Sequence, residues 1–298
     1  MLVLSWNIKK SMSSWVWLQE EQADFMLLQE VSPKSVYMQD GSIIKGHDSD
    51  PSVAAVASYK HQIERWDIIP RITDPDLKRM MEYLESREKK FGDKEGTRGR
   101  LVSVSSEVDG KKWILISFHA APLKTPLDVQ KVYLGLDPNQ KGPPKDILGP
   151  QVIDKINRPY PWEDNKEVWL ENLIKLVIKD LIEHCDEVKD SCFVFGGDLN
   201  ICLGFDNAFK RKNNDNKKSL LEYEKMELIN CLRLKHKNEH QSYIHTVENQ
   251  KGILFQNDHL FINKNLICDW AYVIGRPLQS DNRTISDHNP IVASLRSS

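Results

Sequence analysis

Hydrophobic positions in this chain fall into short runs, and several runs stop abruptly at polar side chains. Leu2 to Leu4 leads to Asn7, and Phe25 to Leu28 leads to Gln29 and Glu30. Trp113 to Phe118 leads to His119, and Cys192 to Phe195 leads to Gly196, Gly197 and Asp198. Runs of this length, rich in β-branched and aromatic residues, predict strands. Val53–Ser58, Leu101–Ser105, Trp270–Ile274 and Ile291–Leu295 read the same way, as does a strand around Asp258 within Ile253–Ile262. Helical spacing appears over 13–25, where Trp15, Trp17, Leu18 and Phe25 recur. It returns over 164–184, with Trp169, Leu173, Val177 and Leu181, and over 218–232. Strands outnumber helices and the two are interleaved, which favours one α/β unit over segregated domains.

Two stretches look like loop insertions on that frame. One, near 70–97, is heavily charged; the other, 122–161, is rich in proline and carries several lysines. Long loops of this kind are often functional, and equally often surface decoration.

Composition narrows the class without naming a partner. At 298 residues, 40% hydrophobic and 28% charged, the chain has the makings of a soluble globular core. A formal net charge of −2 announces no polyanion partner, so any nucleic-acid site must be a local basic patch. The five cysteines form no Cys-x-x-Cys pair, which predicts free thiols and a reducing compartment. Met1 runs straight into the first apolar segment without signal-peptide character, and no apolar run approaches a membrane span. The expectation is a cytoplasmic protein.

The candidate chemistry sits where the apolar runs end. A carboxylate there, such as Glu30, suits a hard divalent cation, and Asn7 offers an amide oxygen beside it. Asp198 and Asn200 lie two apart and would share a side if their segment is extended. His119 offers an imidazole that protonates a leaving group near neutral pH. Each has a plain alternative. Gly-Asp-x-Asn can be only a turn, Glu30 a surface residue before Pro33, and a lone His structural. His236-Lys237-Asn238-Glu239-His240 satisfies an inverted zinc-protease pattern. No apolar residue in 235–241 anchors the helix that this chemistry needs, so a polar loop is the better reading.

Taken together, Asn7, Gln29-Glu30, His119, Gly197-Asp198-Leu199-Asn200, Asp258 and Ser286-Asp287-His288 follow one order over almost the whole chain. The set resembles the endonuclease/exonuclease/phosphatase superfamily, whose prototype is deoxyribonuclease I. The resemblance implies an α/β four-layer sandwich, two packed, mostly antiparallel sheets flanked by helices, spanning 1–298 as one domain. It implies metal ligation by Asn7, Glu30 and Asp287, and a catalytic set of His119, Asp198, Asn200, Asp258 and His288. Within that set Asp198 orients the attacking water, Asn200 holds a phosphoryl oxygen, and Asp258 holds His288. Neighbouring His259 reads as structural. Arg98 matches an arginine that precedes the Leu101 strand in the deoxyribonuclease branch, and with Asn7 and Asn200 it completes the substrate-binding candidates. The string His119-Ala120-Ala121-Pro122 is similar to that branch and not to the abasic-site nucleases, which place Tyr at this position.

The expected activity is a Mg²⁺- or Mn²⁺-dependent phosphodiesterase, with DNA as the expected substrate and endonucleolytic cleavage the leading form. The alternatives are another phosphoester, namely a phosphoinositide, sphingomyelin or 5′-tyrosyl-DNA, and an inactive scaffold of the same fold.

Overall fold

The computed structural model describes residues 1–32, 38, 41–46, 53–91, 100–120, 137, 139, 169–202, 215–236, 246–248, 254–275 and 285–298. The chain divides into two compact units: Met1–Asp67 with Gly99–His119 and Glu187–Ser298, and Ile68–Arg98 with Ala120–Asp186.

The first unit holds two six-stranded sheets. One is built from β1 (Leu2–Asn7), β2 (Phe25–Val31), β3 (Ser42–Lys45), β4 (Val53–Ser58), β13 (Leu266–Val273) and β14 (Ile291–Ser297), in the order β13-β14-β1-β2-β4-β3. The other contains β5 (Glu64–Arg65), β6 (Leu101–Val108), β7 (Lys111–His119), β8 (Cys192–Asp198), β9 (Ile229–Asn230) and β12 (Asp258–Ile262), in the order β5-β6-β7-β8-β12-β9. A short ladder pairs β10 (Val247–Glu248) with β11 (Leu254–Phe255).

Pairing is antiparallel except for one central pair in each sheet. β1 runs parallel to β2, with Asn7 opposite Gln29. β7 runs parallel to β8, with His119 opposite Asp198. Parallel neighbours end on the same side of a sheet, so each central pair delivers two of the sequence-marked residues to one edge.

The inner strands β1, β2, β4, β7, β8 and β12 are buried on both faces, and alternation sorts their side chains into two cores. Val3, Phe25, Leu27 and Val56 of the first sheet meet Val102, Leu115, Val194 and Leu260 of the second in one cluster. On the outer face of the first sheet, Leu4, Trp6, Met26 and Leu28 pack with Trp15 and Leu18 of helix α1 (Met12–Glu21). On the outer face of the second, the rings of Phe195 and Phe261 lie 6.0 Å apart, and they lie 5.8 and 4.9 Å, respectively, from that of Tyr223. The result is four layers, helix, sheet, sheet, helix.

Local conformation explains where the helices stop short of the sequence expectation. α1 ends at Gln22, whose left-handed backbone (φ 44°) turns its N–H to Leu18 O at 3.2 Å and frees Phe25 for β2. The helix expected over 218–232 is split. Left-handed Glu227 (φ 61°) closes the segment Asp215–Lys225, and a new helix begins at Cys231, with Asn230 Oδ1 accepting from Arg233 N at 3.2 Å as its cap.

In the second unit, the charged stretch near 70–97 is a helix over Pro75–Phe91 where a loop was expected. Leu77, Met80, Met81 and Leu84 form a buried stripe at helical spacing within it. Asp74 Oδ1 caps its first turn through Asp76 N and Leu77 N at 2.9 and 3.1 Å. Asp180, on the helix Trp169–His184, accepts from Thr73 N and Thr73 Oγ1, each at 2.7 Å. The proline-rich stretch 122–161 lies outside the described residues apart from Asp137 and Asn139.

Candidate active site

Asn7 closes β1, and its amide nitrogen donates to two carboxylates, Glu30 Oε1 and Asp198 Oδ2, each at 3.2 Å. Its oxygen accepts from Lys9 N at 3.2 Å. As oriented, Asn7 ties the two sheets' acidic residues together and turns its oxygen away from them.

Glu30 reaches this place through a bulge. The β2–β4 register shifts between Leu28 and Val31, and Glu30 is left-handed at φ 51°. A non-glycine residue there costs about 1–3 kcal/mol and persists only when its surroundings hold it. Glu30 O accepts from Lys10 N at 2.8 Å, and Gln29 O accepts from Ile8 N at 3.0 Å. Buried Gln29 donates through Nε2 to Ser117 Oγ at 3.1 Å, linking β2 to β7.

Asp198 ends β8 and is 3% exposed, so it meets almost no water. Burial, reinforced by the negative charge of Asp258, pushes its carboxyl up to about 7 against the pull of His288. The next residues are not extended. Asn200 is left-handed (φ 52°), and its N–H donates to Asp198 Oδ1 at 3.1 Å, which makes an Asx turn of the Gly-Asp-x-Asn string. Gly197 (φ 143°) serves strand packing: a Cβ there would fall 1.8 Å from Phe118 O on β7. The glycine is therefore required by the neighbouring strand.

His288 lies between two carboxylates. Its Nδ1 is 2.8 Å from Asp258 Oδ2 and its Nε2 is 3.8 Å from Asp198 Oδ2. Burial disfavours the imidazolium, yet Asp258 and Asp198 outweigh it and raise His288 to about 10. The ring is then charged at neutral pH, with Nδ1–H directed at Asp258. His119, 8% exposed, brings its Nε2 to 3.7 Å from Glu30 Oε1 and 3.8 Å from Asp198 Oδ2. Its backbone N–H donates to Arg100 O at 2.9 Å.

Asp287 is engaged elsewhere. It pairs with Lys9 Nζ at 2.6 Å, the carboxylate side chain 47% exposed. Burial would raise its pKa, but the Lys9 bond and His288 hold it low. Arg98 lies outside the described residues. His236, first residue of the zinc-protease-like string, bonds through Nε2 to Ala271 O at 2.8 Å, a backbone contact.

Donor chemistry fits a hard divalent cation. Glu30 and Asp198 border the same amide, and Asp198 and Asp258 lie in one buried group with His288, within 4.8 Å of one another; the charged ring has no lone pair for a cation, so the carboxylates are the donors. Oxygen-rich, carboxylate-dominated surroundings of this kind suit Mg²⁺-like ions.

No family model matches the sequence, and no curated protein is detectably similar to it. Solved structures do match. D. rerio TDP2 complexed with single strand DNA product aligns with a TM-score of 0.56 at 13% identity, covering 100% of this chain and 99% of that one. An AP endonuclease from Archaeoglobus fulgidus aligns at 0.56 and 15% identity, covering 99% and 98%. A 3'-5' exonuclease, NExo, from Neisseria meningitidis aligns at 0.54 and 13%, covering 99% of each. This chain has the deoxyribonuclease I-like fold.

Within the deoxyribonuclease I-like fold, the sequence-marked residues Asn7, Glu30, His119, Asp198, Asp258 and His288 are joined by the contacts above. Other residues support them: Ser286 belongs to the Ser286-Asp287-His288 string, whereas Trp6 and Thr246 are not among the sequence-marked residues. Ser286 Oγ donates to Asn7 O at 2.7 Å and accepts from His288 N at 3.1 Å, and Trp6 Nε1 donates to His288 O at 2.9 Å. Thr246 Oγ1 accepts from Asn257 N and Asp258 N at 3.0 and 3.1 Å, while its carbonyl accepts from Asn289 N at 2.6 Å. One fully buried threonine thus bridges the segments that carry Asp258 and His288.

Proposed function

We propose that this protein is a divalent-metal-dependent phosphodiesterase that acts on DNA, most simply as an endonuclease. The observation that carries the reading is the Asp258–His288–Asp198 chain, at 2.8 and 3.8 Å, set beside Glu30 and His119 in this fold. Two neighbours in fold are described with DNA, TDP2 with a single strand product and NExo with a product DNA hairpin, which supports the choice of substrate. The likeness covers 99–100% of the chain, which supports treating both compact units as one domain of the superfamily.

Glu30 would hold the cation, with the Asn7 amide beside it; Asp287 joins them only on leaving Lys9. Mg²⁺ or Mn²⁺ there supplies positive charge to the phosphoryl oxygens. Asp198, with its carboxyl near neutral pKa, is suited to take a proton from an attacking water. Charged His288 is suited to donate through Nε2 to a phosphoryl oxygen, and Asp258 fixes its ring. Asn200 offers an amide to the same phosphate. His119 stands across from Asp198 and is suited to protonate the departing oxygen. Arg98 adds a phosphate contact in this reading. The thiol state of all five cysteines supports an intracellular, cytoplasmic setting. Among the described residues, no helix is long and apolar enough to cross a membrane.

The test is parallel incubation of the purified protein and Mg²⁺ with supercoiled plasmid, single-stranded DNA, RNA, a 5′-tyrosyl oligonucleotide, sphingomyelin and a phosphoinositide panel. Plasmid nicking is expected. Turnover of a lipid or tyrosyl ester without nicking moves the protein to the alternative substrates. No turnover of any arm, in Mg²⁺ or Mn²⁺, makes it an inactive scaffold.

A further inference from the structure

His259 is completely buried next to Asp258, and it faces away from the proposed reaction. Its ring nitrogens have defined partners. Nε2 lies 2.9 Å from Ile201 O, and Nδ1 lies 3.1 Å from Asn230 Nδ2. The orientation of the Asn230 amide is set independently, because its oxygen caps the following helix by accepting from Arg233 N at 3.2 Å. The amide nitrogen therefore faces His259 and donates. Nδ1 must accept, so the proton of the neutral ring sits on Nε2 and is donated to Ile201 O. Gln256 Nε2, at 3.5 Å from Nδ1, is a further donor on that side.

Ile201 directly follows Asn200, whose left-handed backbone (φ 52°) has no glycine to ease it. On the upstream side that conformation is held by Asp198 Oδ1, which accepts from Asn200 N at 3.1 Å. On the downstream side the next carbonyl is held by His259. A non-glycine residue in this region is held by the structure around it, and here bonds hold it on both sides.

We propose that His259 is a positioning residue for Asn200, acting through the relay Asn230 amide, imidazole, Ile201 carbonyl. The relay fixes the backbone from which the Asn200 side chain projects, on the side away from Asp198. This inference rests on the role given to Asn200 under the proposed function. It also makes a statement about backbone geometry that holds whether or not the substrate is DNA.

The test compares His259→Phe, which keeps a flat ring of similar size and removes both nitrogens, with His259→Gln, whose amide N–H can still reach Ile201 O. Backbone chemical shifts of Asn200 report its left-handed conformation and need no activity. In His259→Phe these shifts should move toward ordinary values, and in His259→Gln they should stay near the wild type. On whichever phosphoester the wild type hydrolyses, the Phe variant should lose about 10- to 100-fold in kcat with KM little changed, the scale expected of a misplaced contact. The Gln variant should recover most of that loss. Wild-type Asn200 shifts in a folded Phe variant overturn the proposal, whatever the activity. So does a Gln variant as impaired as Phe. If Phe does not fold, His259→Leu replaces it; if neither folds, His259 is a residue of the core alone and the proposal falls. A wild type without activity on any substrate overturns the proposed function, while the Asn200 shifts still decide the relay.

Discussion

Asp258 Oδ2 and His288 Nδ1 lie 2.8 Å apart, both buried, on segments 30 residues apart in the chain. The pairing fixes one ring nitrogen as a donor and leaves Nε2 to face Asp198. It also charges the ring: despite burial, Asp258 and Asp198 hold His288 at about 10.

Asp258→Asn should therefore shift the alkaline limb of the pH–rate profile. Removing the Asp258 charge lowers the His288 pKa toward the ordinary imidazole range, so the limb moves to lower pH. It also removes one of the causes that raise Asp198, so the acidic limb should move down as well. Because the sites interact, the limbs report the pair and not single residues. kcat/KM should fall at least ~10²-fold near neutral pH. A profile whose limbs stay in place in the variant, measured on the substrate found for the wild type, would contradict the charged state of His288.

Asp198→Asn should separate activity from stability. The rate should fall at least ~10²-fold, the scale for losing an acid–base group. Stability should behave oppositely with pH. In the folded state Asp198 titrates at about 7, above its usual 3.8. The folded protein thus binds more protons than the unfolded chain between those values, and its stability falls as pH rises through that window. Asn has no such cost. In EDTA, the Tm of the variant minus that of the wild type should increase from pH 4 to pH 8. A difference independent of pH would mean that Asp198 titrates normally.

Asp24 predicts the reverse sign away from the site. Its Oδ2 accepts from Leu2 N at 2.6 Å and its Oδ1 lies 3.1 Å from Lys60 Nζ. Burial would raise its pKa, but the Leu2 N–H and Lys60 together hold it below 3.8. Its contribution is present above the unfolded pKa and is lost as pH falls through the lower, folded one. Asp24→Asn should cost roughly 1–3 kcal/mol at pH 7, the range for a hydrogen-bonded charge. The gap should shrink below pH 4, as denaturation at a series of pH values would reveal.

Much of the site was legible in the sequence because its residues end local apolar runs. Asn7, Gln29-Glu30, His119 and Asp198 close the two central parallel pairs, and a strand of known sequence has a known end. What was not legible depends on tertiary placement. Nothing in Leu27-Leu28-Gln29-Glu30-Val31 announces a bulge with Glu30 left-handed, since no glycine marks it. Asn200 lies in the turn that Gly-Asp-x-Asn offered as its plain alternative, not on the extended segment that would put it on one side with Asp198. The Thr246 carbonyl, which accepts from Asn289 N, and the Lys9–Asp287 pair join segments far apart in the chain, so local patterning carries no trace of them. The helix Pro75–Phe91 did carry a stripe, Leu77, Met80, Met81 and Leu84, but the dense charges around it read as a loop.

Metal dependence gives a test that separates binding from chemistry. Activity should vanish in EDTA and return with Mg²⁺ or Mn²⁺, because carboxylate oxygens suit hard cations. Binding should also appear without substrate. A ligand that binds only the folded state stabilises it, by about 2.7 kcal/mol at 100-fold above its Kd. The Tm of the wild type should thus rise with Mg²⁺ concentration. Glu30→Gln keeps the hydrogen-bonding reach toward Asn7 and His119 and removes the charge that holds the ion. It should fold in EDTA with a Tm near that of the wild type and lose most of the Mg²⁺-dependent rise. Asp287→Asn should lose much less of it, because that carboxylate is engaged by Lys9 at 2.6 Å. Equal loss in the two variants would show that Asp287 leaves Lys9 to join the ion, and an unchanged rise in Glu30→Gln would remove Glu30 from the metal set.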